Sequence, residues 1–260
     1  MKTILKSLFY TIIFLMCKTA SANIGIDKHY LVFDANSKNR NQQIVFSNTS
    51  KEEKTYRIKL VNYRQLENGE YEEISEPLPQ APFANKFLSF SPNQTTLKAG
   101  QTQIVRIQRK PMINTPDGEY VSRLLIKEVY TAKEETKSQN DREMRINAQA
   151  LYAVTIPIII QKGELKASAK IENPQIIKSQ DNTVLKMTLS REGTKSLFVN
   201  VLVKNRGGDT IGILNKIRVY LTTNKRTIEI PLENYNPNEK LRIELIDVET
   251  DEKIMSRDMP

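Results

Sequence analysis

The stretch RINAQALYAVTIPIII, at positions 145–160, alternates apolar and polar side chains before it becomes almost wholly apolar. Every second residue from Ile146 to Ile158 is apolar, and the positions between them are mostly apolar from Leu151 onward. Alternation is typical of a strand with one buried face, whereas a run that is apolar on both parities is typical of a strand buried on both faces. We predict a β-strand over residues 146–160 and expect Leu151 to face the core of its own domain.

The N-terminal sequence MKTILKSLFYTIIFLMCKTASA has the layout of a secretory signal peptide. Basic residues precede an apolar stretch that is too short for a stop-transfer helix, and Ala20-Ser21-Ala22 forms an A-x-A cleavage site. We expect residues 1–22 to be removed on export to the periplasm, with no stable membrane insertion afterwards. The alternatives are an uncleaved anchor helix and a lipoprotein attached at Cys17.

Composition narrows the classes of protein and of partner. Hydrophobic residues make up 39% of the chain, which is enough to form sizeable cores. Cys17 is the only cysteine and lies in the predicted signal peptide, so the mature chain has no disulfide and depends on core burial for stability. The formal net charge of +9 falls when the leader lysines are removed, and the basic residues form no stripe interleaved with aromatic residues. We therefore expect no nucleic-acid partner.

The mature chain is a series of short segments rich in Val, Ile, Thr and Tyr, separated by Gly, Pro, Asn and Asp. This pattern is typical of antiparallel β-sandwiches. The pattern restarts after Lys162-Gly163, which predicts a domain at residues 23–162 and a smaller one at 163–260. In the first domain the predicted strands cover residues 24–33, 41–48, 55–63, 87–90, 95–97, 102–108, 119–130 and 146–160. Residues 131–145 are almost devoid of apolar side chains and predict a long mobile loop.

Catalytic and metal-binding signals are weak in this sequence. His29 is the only histidine, so it has no second His or Cys with which to hold a metal ion or to form a nucleophilic pair. Nucleophile-elbow, P-loop and zincin motifs do not occur. The acidic run from Glu67 to Glu76 lies among turn residues, so we interpret it as a solvated loop. We expect neither an enzyme nor a cofactor.

Three stretches, in this order, resemble a known family. They are IGIDKHYLVFDANSKNRNQQIVFSNTSKEEKTYRIKL at 24–60, LSFSPNQTTLKAGQTQIVRIQRKP at 88–111 and DGEYVSRLLIKEV at 117–129. A first strand ending in V-F-D, a second ending in S-N, and S-P before a Leu-x-x-Gly turn are similar to the N-terminal domain of the PapD-like periplasmic chaperones of chaperone–usher systems. The resemblance covers roughly residues 24–162.

The resemblance implies an all-β fold of two immunoglobulin-like β-sandwich domains that meet at an angle. It also implies that the last long strand of the first domain completes an unfinished pilus subunit by donor-strand complementation, before delivery to an outer-membrane usher. The implied inserting residues are Ile146, Ala148, Ala150, Tyr152 and Val154, and Ile156 and Ile158 are expected to pass into the packing of the domain itself. Two alternatives stay open: the strand is internal to its own domain, or the chain is an exported structural or adhesive surface protein such as a pilin-like subunit.

In the family, an arginine on the first strand and a lysine on the donor strand anchor the carboxylate at the C-terminus of the bound pilin. Matching V-F-D places Tyr30 at the arginine position, and Pro157, or Thr155 in a shifted alignment, takes the lysine position. Lys28, two residues before Tyr30 and expected on the same strand face, is the substitute cation.

The family's interdomain ion pair also changes in this sequence. Glu119 matches its glutamate, but Gln161 occupies the position of its arginine, with Lys162 beside it. A buried glutamate needs a cation. We therefore expect either that Lys162 supplies the charge or that the interdomain cleft is wetter.

Overall fold

The computed structural model describes residues 23–74, 81–130, 150–179 and 182–259. Within these ranges the chain forms strands and a single short 3₁₀ turn at Asn85–Phe87, which confirms the predicted all-β fold. No helix in the described ranges is long and apolar enough to cross a membrane. The predicted signal peptide, the predicted loop at 131–145, and the inserting residues Ile146 and Ala148 lie outside the described residues.

Two sheets pack face to face in the first half of the chain. Their strands are β1 (Ile24–Ile26), β2 (Leu31–Asp34), β3 (Asn41–Asn48), β4 (Lys54–Val61), β7 (Leu88–Ser91), β8 (Gln94–Leu97), β9 (Thr102–Arg109), β10 (Gly118–Val129) and β11 (Ala153–Lys162). One sheet has the strand order β1-β3-β9-β7 and the other β2-β11-β10-β4-β8. A separate hairpin, β5 (Tyr63–Gln65) and β6 (Tyr71–Glu73), follows β4 and falls partly within the acidic run that we interpreted as a loop.

Two further sheets form the second half. Their strands are β12 (Ala167–Lys178), β13 (Thr183–Gly193), β14 (Leu197–Lys204), β15 (Thr210–Val219), β16 (Lys225–Pro231), β17 (Leu241–Asp247) and β18 (Lys253–Met259). The strand orders are β12-β13-β16 and β15-β14-β17-β18. β11 ends at Lys162 and β12 begins at Ala167, so the predicted boundary between residues 162 and 163 coincides with the end of β11.

Each pair of sheets encloses its own core, built by alternate residues of its strands. In β9, for example, Val105 and Ile107 are buried while Ile104, Arg106 and Gln108 are exposed. The first core contains side chains of residues 31–160, and the second contains side chains of residues 171–259. At about 25 cal/mol for each Å² of apolar surface removed from water, these two clusters are the main source of stability in a chain without disulfides.

The predicted first strand over residues 24–33 is broken in the structure. Ile26 pairs with Phe46 in one sheet, whereas Leu31 pairs in parallel with Ile158 in the other. The break follows Asp27, whose carboxylate accepts a hydrogen bond from the Val45 amide at 2.8 Å. Alternation alone did not reveal this change of sheet because both segments bury apolar side chains in the same core.

Candidate partner-binding strand and interdomain contact

The C-terminal half of β11 is covered on both faces. Ile156, Ile158 and Ile160 point into the first core, and Ile159, on the opposite face, is only 1% exposed. This explains the almost continuous apolar run at the end of the opening stretch.

The N-terminal half of β11 has one open edge. Residues 153–162 pair with β10 on one side, whereas β2 covers only residues 158–161 on the other side. Among the described residues, no strand pairs with the second side of residues 153–157. An open edge presents unpaired backbone donors and acceptors to an incoming strand.

The implied inserting residues have the same parity as the core-facing isoleucines of β11. Val154 is partly buried and packs against the first core. Tyr152 is 40% exposed and Ala150 is exposed. The described part of this row therefore runs from the core of the first domain out to its surface.

The prediction for Leu151 is wrong, because its side chain is 42% exposed. The strand begins only at Ala153, and residues 150–152 precede it. The even-numbered residues of β11 face the first core, whereas Leu151 has an odd number. Ile156 and Ile158 do pack within the domain as expected, so the prediction fails at Leu151 alone.

Lys28 and Tyr30 are not brought together. Lys28 donates to the backbone carbonyl of Gln43 at 3.0 Å and so lies against β3. The Tyr30 ring is 43% exposed and makes an edge contact with Phe198 of the second domain, with the ring centroids 6.1 Å apart. Both residues lie between β1 and β2, where the chain changes sheet, and their side chains contact different elements.

A cation that sequence reasoning missed lies beside Tyr30. The Arg218 guanidinium, on β15, is 3.9 Å from the centre of the Phe198 ring and 5.5 Å from that of Tyr30. Arg218 lies 188 residues after Tyr30 in the chain, and no motif in the second half marks it as a binding residue, so the sequence could not predict that the two are neighbours. Only the packing of one domain against the other brings the pair together.

Glu119 is buried against the second domain and is 2% exposed. Its carboxylate accepts hydrogen bonds from the backbone amide of Ser196, at 3.2 Å, and from the Ser196 hydroxyl. Its own amide donates to the Thr194 carbonyl at 3.2 Å. These contacts join the start of β10 to the turn between β13 and β14.

Lys162 does not supply the positive charge that we expected beside Glu119. Lys162 points elsewhere, to the carboxylate of Asp117 at 3.4 Å and the carbonyl of Thr115. The backbone carbonyl of Gln161 accepts a hydrogen bond from the Ala35 amide at 2.7 Å, within the first domain. The Glu119 side chain itself is buried.

The nearby cation comes from the second domain. Arg191, 6% exposed, donates to the carbonyls of Gly193 and Lys195 at 2.7 and 3.1 Å, and so holds the turn that contacts Glu119. Burial lowers the pKa of Arg191, and the negative charge of Glu119 acts in the opposite direction. Charge compensation across the contact follows the general need of a buried carboxylate.

The described residues contain no cluster of three or more His, Cys, Asp or Glu side chains that could hold a metal ion. The arrangement at β11 and at the interdomain contact therefore offers a backbone edge, an apolar row and arginine side chains. A backbone edge next to an apolar row is the kind of surface to which an extended peptide strand can be added.

No family model and no curated protein matches the sequence. Solved structures with a similar shape include the chaperone YadV, at 10% identity and TM-score 0.48, covering 91% of this chain and all of the other. The pre-assembly complex of CsuC with the tip adhesion protein CsuE, from Acinetobacter baumannii, matches at 15% identity and TM-score 0.49, covering 91% and 98%. The Escherichia coli chaperone DraB matches at 14% identity and TM-score 0.48, covering 91% and 95%.

Proposed function

We propose that this protein is an exported chaperone of pilus or fimbrial subunits. It binds a subunit by donor-strand complementation along β11, stabilises it, and delivers it to an outer-membrane usher. The observation that supports this proposal most directly is the open edge of β11 at residues 153–157, next to a row of side chains that leads out of the first core.

A strand added to this edge would extend the sheet of the first domain. Its backbone would pair with the unpaired side of residues 153–157 and of the residues before them. Because β2 already occupies the edge at residues 158–161, the partner has room only toward the N-terminal end of β11. Tyr152 and Ala150 would then enter the apolar groove of the partner on the side that continues the first core.

Arg218 provides the positive charge that the replaced anchor positions lack. Its guanidinium lies on aromatic rings, and no carboxylate pairs with it among the described residues. Stacking on a ring leaves the in-plane N–H groups of a guanidinium free to bind a carboxylate. Together with the Tyr30 hydroxyl it would hold the C-terminal carboxylate of the subunit.

The proposed place of action is the periplasm, after removal of residues 1–22. The role requires no cofactor and no catalysis, since binding an unfinished sheet needs only backbone pairing and apolar burial. The protein partners are a pilin-like subunit and the usher, with neither nucleic acid nor a membrane span.

The decisive experiment replaces Ala150 by Asp, with Leu151→Asp as the matched control. Both side chains are exposed in the free protein, so both variants should retain the wild-type melting temperature. Ala150→Asp should lose co-purification with a pilin-like subunit encoded nearby, because it would bury an unpaired carboxylate in the groove. Leu151→Asp, on the opposite parity, should still capture the subunit.

Equal capture by folded Ala150→Asp and wild type would exclude donor-strand complementation through this row. Loss of capture in both variants would show that the parity assignment is wrong. If the chain is instead a pilin-like subunit, it should itself be captured by a chaperone, and neither substitution should matter.

A further inference from the structure

The hairpin β5–β6, residues 63–73, is a small sheet of its own. Tyr63 pairs with Glu73 and Gln65 with Tyr71, and within the described ranges neither strand pairs with the larger sheets. An isolated two-stranded hairpin is only marginally stable in water. Its conformation must therefore be held by contacts with other parts of the molecule.

Gln65, at the end of β5, contacts the second domain with its side-chain amide. The side chain is 1% exposed; its oxygen accepts from the Tyr220 amide at 3.0 Å, and its nitrogen donates to the Arg218 carbonyl at 3.1 Å. A glutamine amide presents the same donor and acceptor as a peptide group. Gln65 therefore pairs with the backbone at the end of β15, an edge strand of its sheet, as a neighbouring strand would.

Two further backbone contacts extend this attachment. The Gln65 amide donates to the Thr222 hydroxyl at 3.2 Å, and the Thr227 amide donates to the Glu67 carbonyl at 2.6 Å. At the hairpin turn, Gly69 lies against Arg226, where a Cβ atom would approach the guanidinium to 2.9 Å. The hairpin thus follows the second domain from the end of β15 to the start of β16.

An arginine from the main sheet of the first domain completes the contact. Arg123, on β10, is 9% exposed, and its guanidinium lies 4.0 Å from the Tyr71 ring, 5.8 Å from Tyr63 and 5.5 Å from Tyr220. The rings of two hairpin tyrosines and one tyrosine of the second domain therefore surround one cation of the first domain. Cation–π contacts are strongest when the cation is desolvated, as it is here.

We propose that the hairpin of residues 63–73 is a clasp that fixes the orientation of the second domain relative to the first, with Gln65 as its main positioning residue. Interfaces between domains of one chain commonly permit relative motion unless they are large and apolar. The clasp restricts this motion through directional hydrogen bonds to backbone groups and does not need a large buried apolar area. The inference rests on the hairpin contacts alone and does not depend on the binding of a subunit at β11.

The orientation of the domains can be measured with two spin labels. In the full chain with Cys17→Ser, cysteines introduced at the exposed positions Lys51 and Asn238 carry one label in each domain. Double electron–electron resonance then gives the distribution of distances between the labels. The protein with an intact clasp should show one narrow distribution.

Gln65→Leu keeps a side chain of similar size but removes both hydrogen bonds to the second domain. The distance distribution should broaden, and the Tyr220 amide should exchange its hydrogen faster, because its acceptor is lost. Gln43→Leu is the matched control, since Gln43 is an exposed glutamine on β3 of the first domain. It should leave both measurements unchanged.

An unchanged distance distribution in folded Gln65→Leu would overturn the proposal. If Gln65→Leu does not fold, Tyr71→Ser decides, because Tyr71 is 41% exposed and belongs to neither core. It removes the ring nearest to Arg123 and should also broaden the distribution. A distribution as narrow as that of the intact protein would overturn the proposal equally.

Discussion

Arginine side chains at the contact between the domains lie on aromatic rings. Arg123 is surrounded by tyrosine rings, and Arg218 lies over Phe198. A guanidinium tolerates such partial desolvation because it stays charged and is weakly hydrated. Of the two, Arg218 lies beside Tyr30, at the position where the family resemblance implies a carboxylate anchor.

Replacing Arg218 by Ala should weaken binding of a pilin-derived peptide that has a free C-terminal carboxylate by roughly 10- to 100-fold, the equivalent of one charge-assisted hydrogen bond. Binding of the same peptide with an amidated C-terminus should not change. Lys28→Ala is the control and should have no effect, because Lys28 is directed toward Gln43. Isothermal titration calorimetry measures the affinity of each protein for each of the two peptides. If wild type and Arg218→Ala prefer the free carboxylate over the amide by the same factor, Arg218 does not bind the carboxylate.

The burial of Tyr56 should make the stability of the protein depend on pH in the alkaline range. Burial, and to a lesser degree the charge of Glu128, raises the pKa of Tyr56 to about 12 from 10.0. The unfolded chain ionises this group near pH 10 while the folded chain does not. The free energy of unfolding should therefore fall as the pH rises from about 10 to about 12, by about 2–3 kcal/mol from this residue.

Tyr56→Phe should remove this part of the alkaline loss. Urea denaturation of both proteins between about pH 8 and pH 12 measures the difference, in which titrations common to both proteins cancel. Equal slopes for the two proteins would show that Tyr56 ionises alike in the folded and unfolded states.

At the scale of elements, strand ends and edges determine what this protein can contact. The open half of β11 is the proposed binding edge, and the edge of β15 is paired by Gln65. The end of β13 positions the turn that meets Glu119, and this turn requires a glycine. Gly193 has a φ of +109°, and a Cβ atom there would lie 2.2 Å from the Lys166 carbonyl oxygen.

Gly193→Ala should therefore destabilise the protein more than Gly208→Ala. Gly208 also has a positive φ, of +92°, but has open space around it, so its substitution costs only the conformational strain of about 1–2 kcal/mol. Gly193→Ala costs a similar conformational strain and in addition brings the new Cβ atom into collision with the Lys166 carbonyl oxygen. Chemical denaturation of both variants checks the order, and equal losses would mean that β12 moves away freely.

At the scale of the whole molecule, two separate cores are joined by a contact rich in polar groups. Glu119 with Ser196 and Gln65 with the end of β15 contribute directional hydrogen bonds across it, and Arg191 holds the turn that meets Glu119 from within the second domain. Such a contact specifies orientation through geometry more than through buried apolar area. The predicted leader belongs to this scale as well, because it determines the compartment in which the molecule folds.

Export should yield a mature protein that begins at Asn23. The predicted cleavage site after Ala22 follows an apolar stretch of signal-peptide length. Intact mass of the periplasmic fraction should show the loss of residues 1–22, and it should show no free thiol since Cys17 is removed. A retained Met1 or a lipid on Cys17 would contradict this prediction.

The sequence by itself predicted the all-β fold and most of the strands, because alternation of apolar residues is a local property that each strand needs in order to bury one face. It predicted neither the break after β1 nor the hairpin β5–β6. It also singled out β11 and Glu119. Only the tertiary structure decided the direction of each face, as the exposed Leu151 and the core-facing Val154 show. It alone placed Arg218 beside Tyr30 and Arg191 near Glu119, since contacts between residues far apart in the chain depend on how two separately folded cores meet.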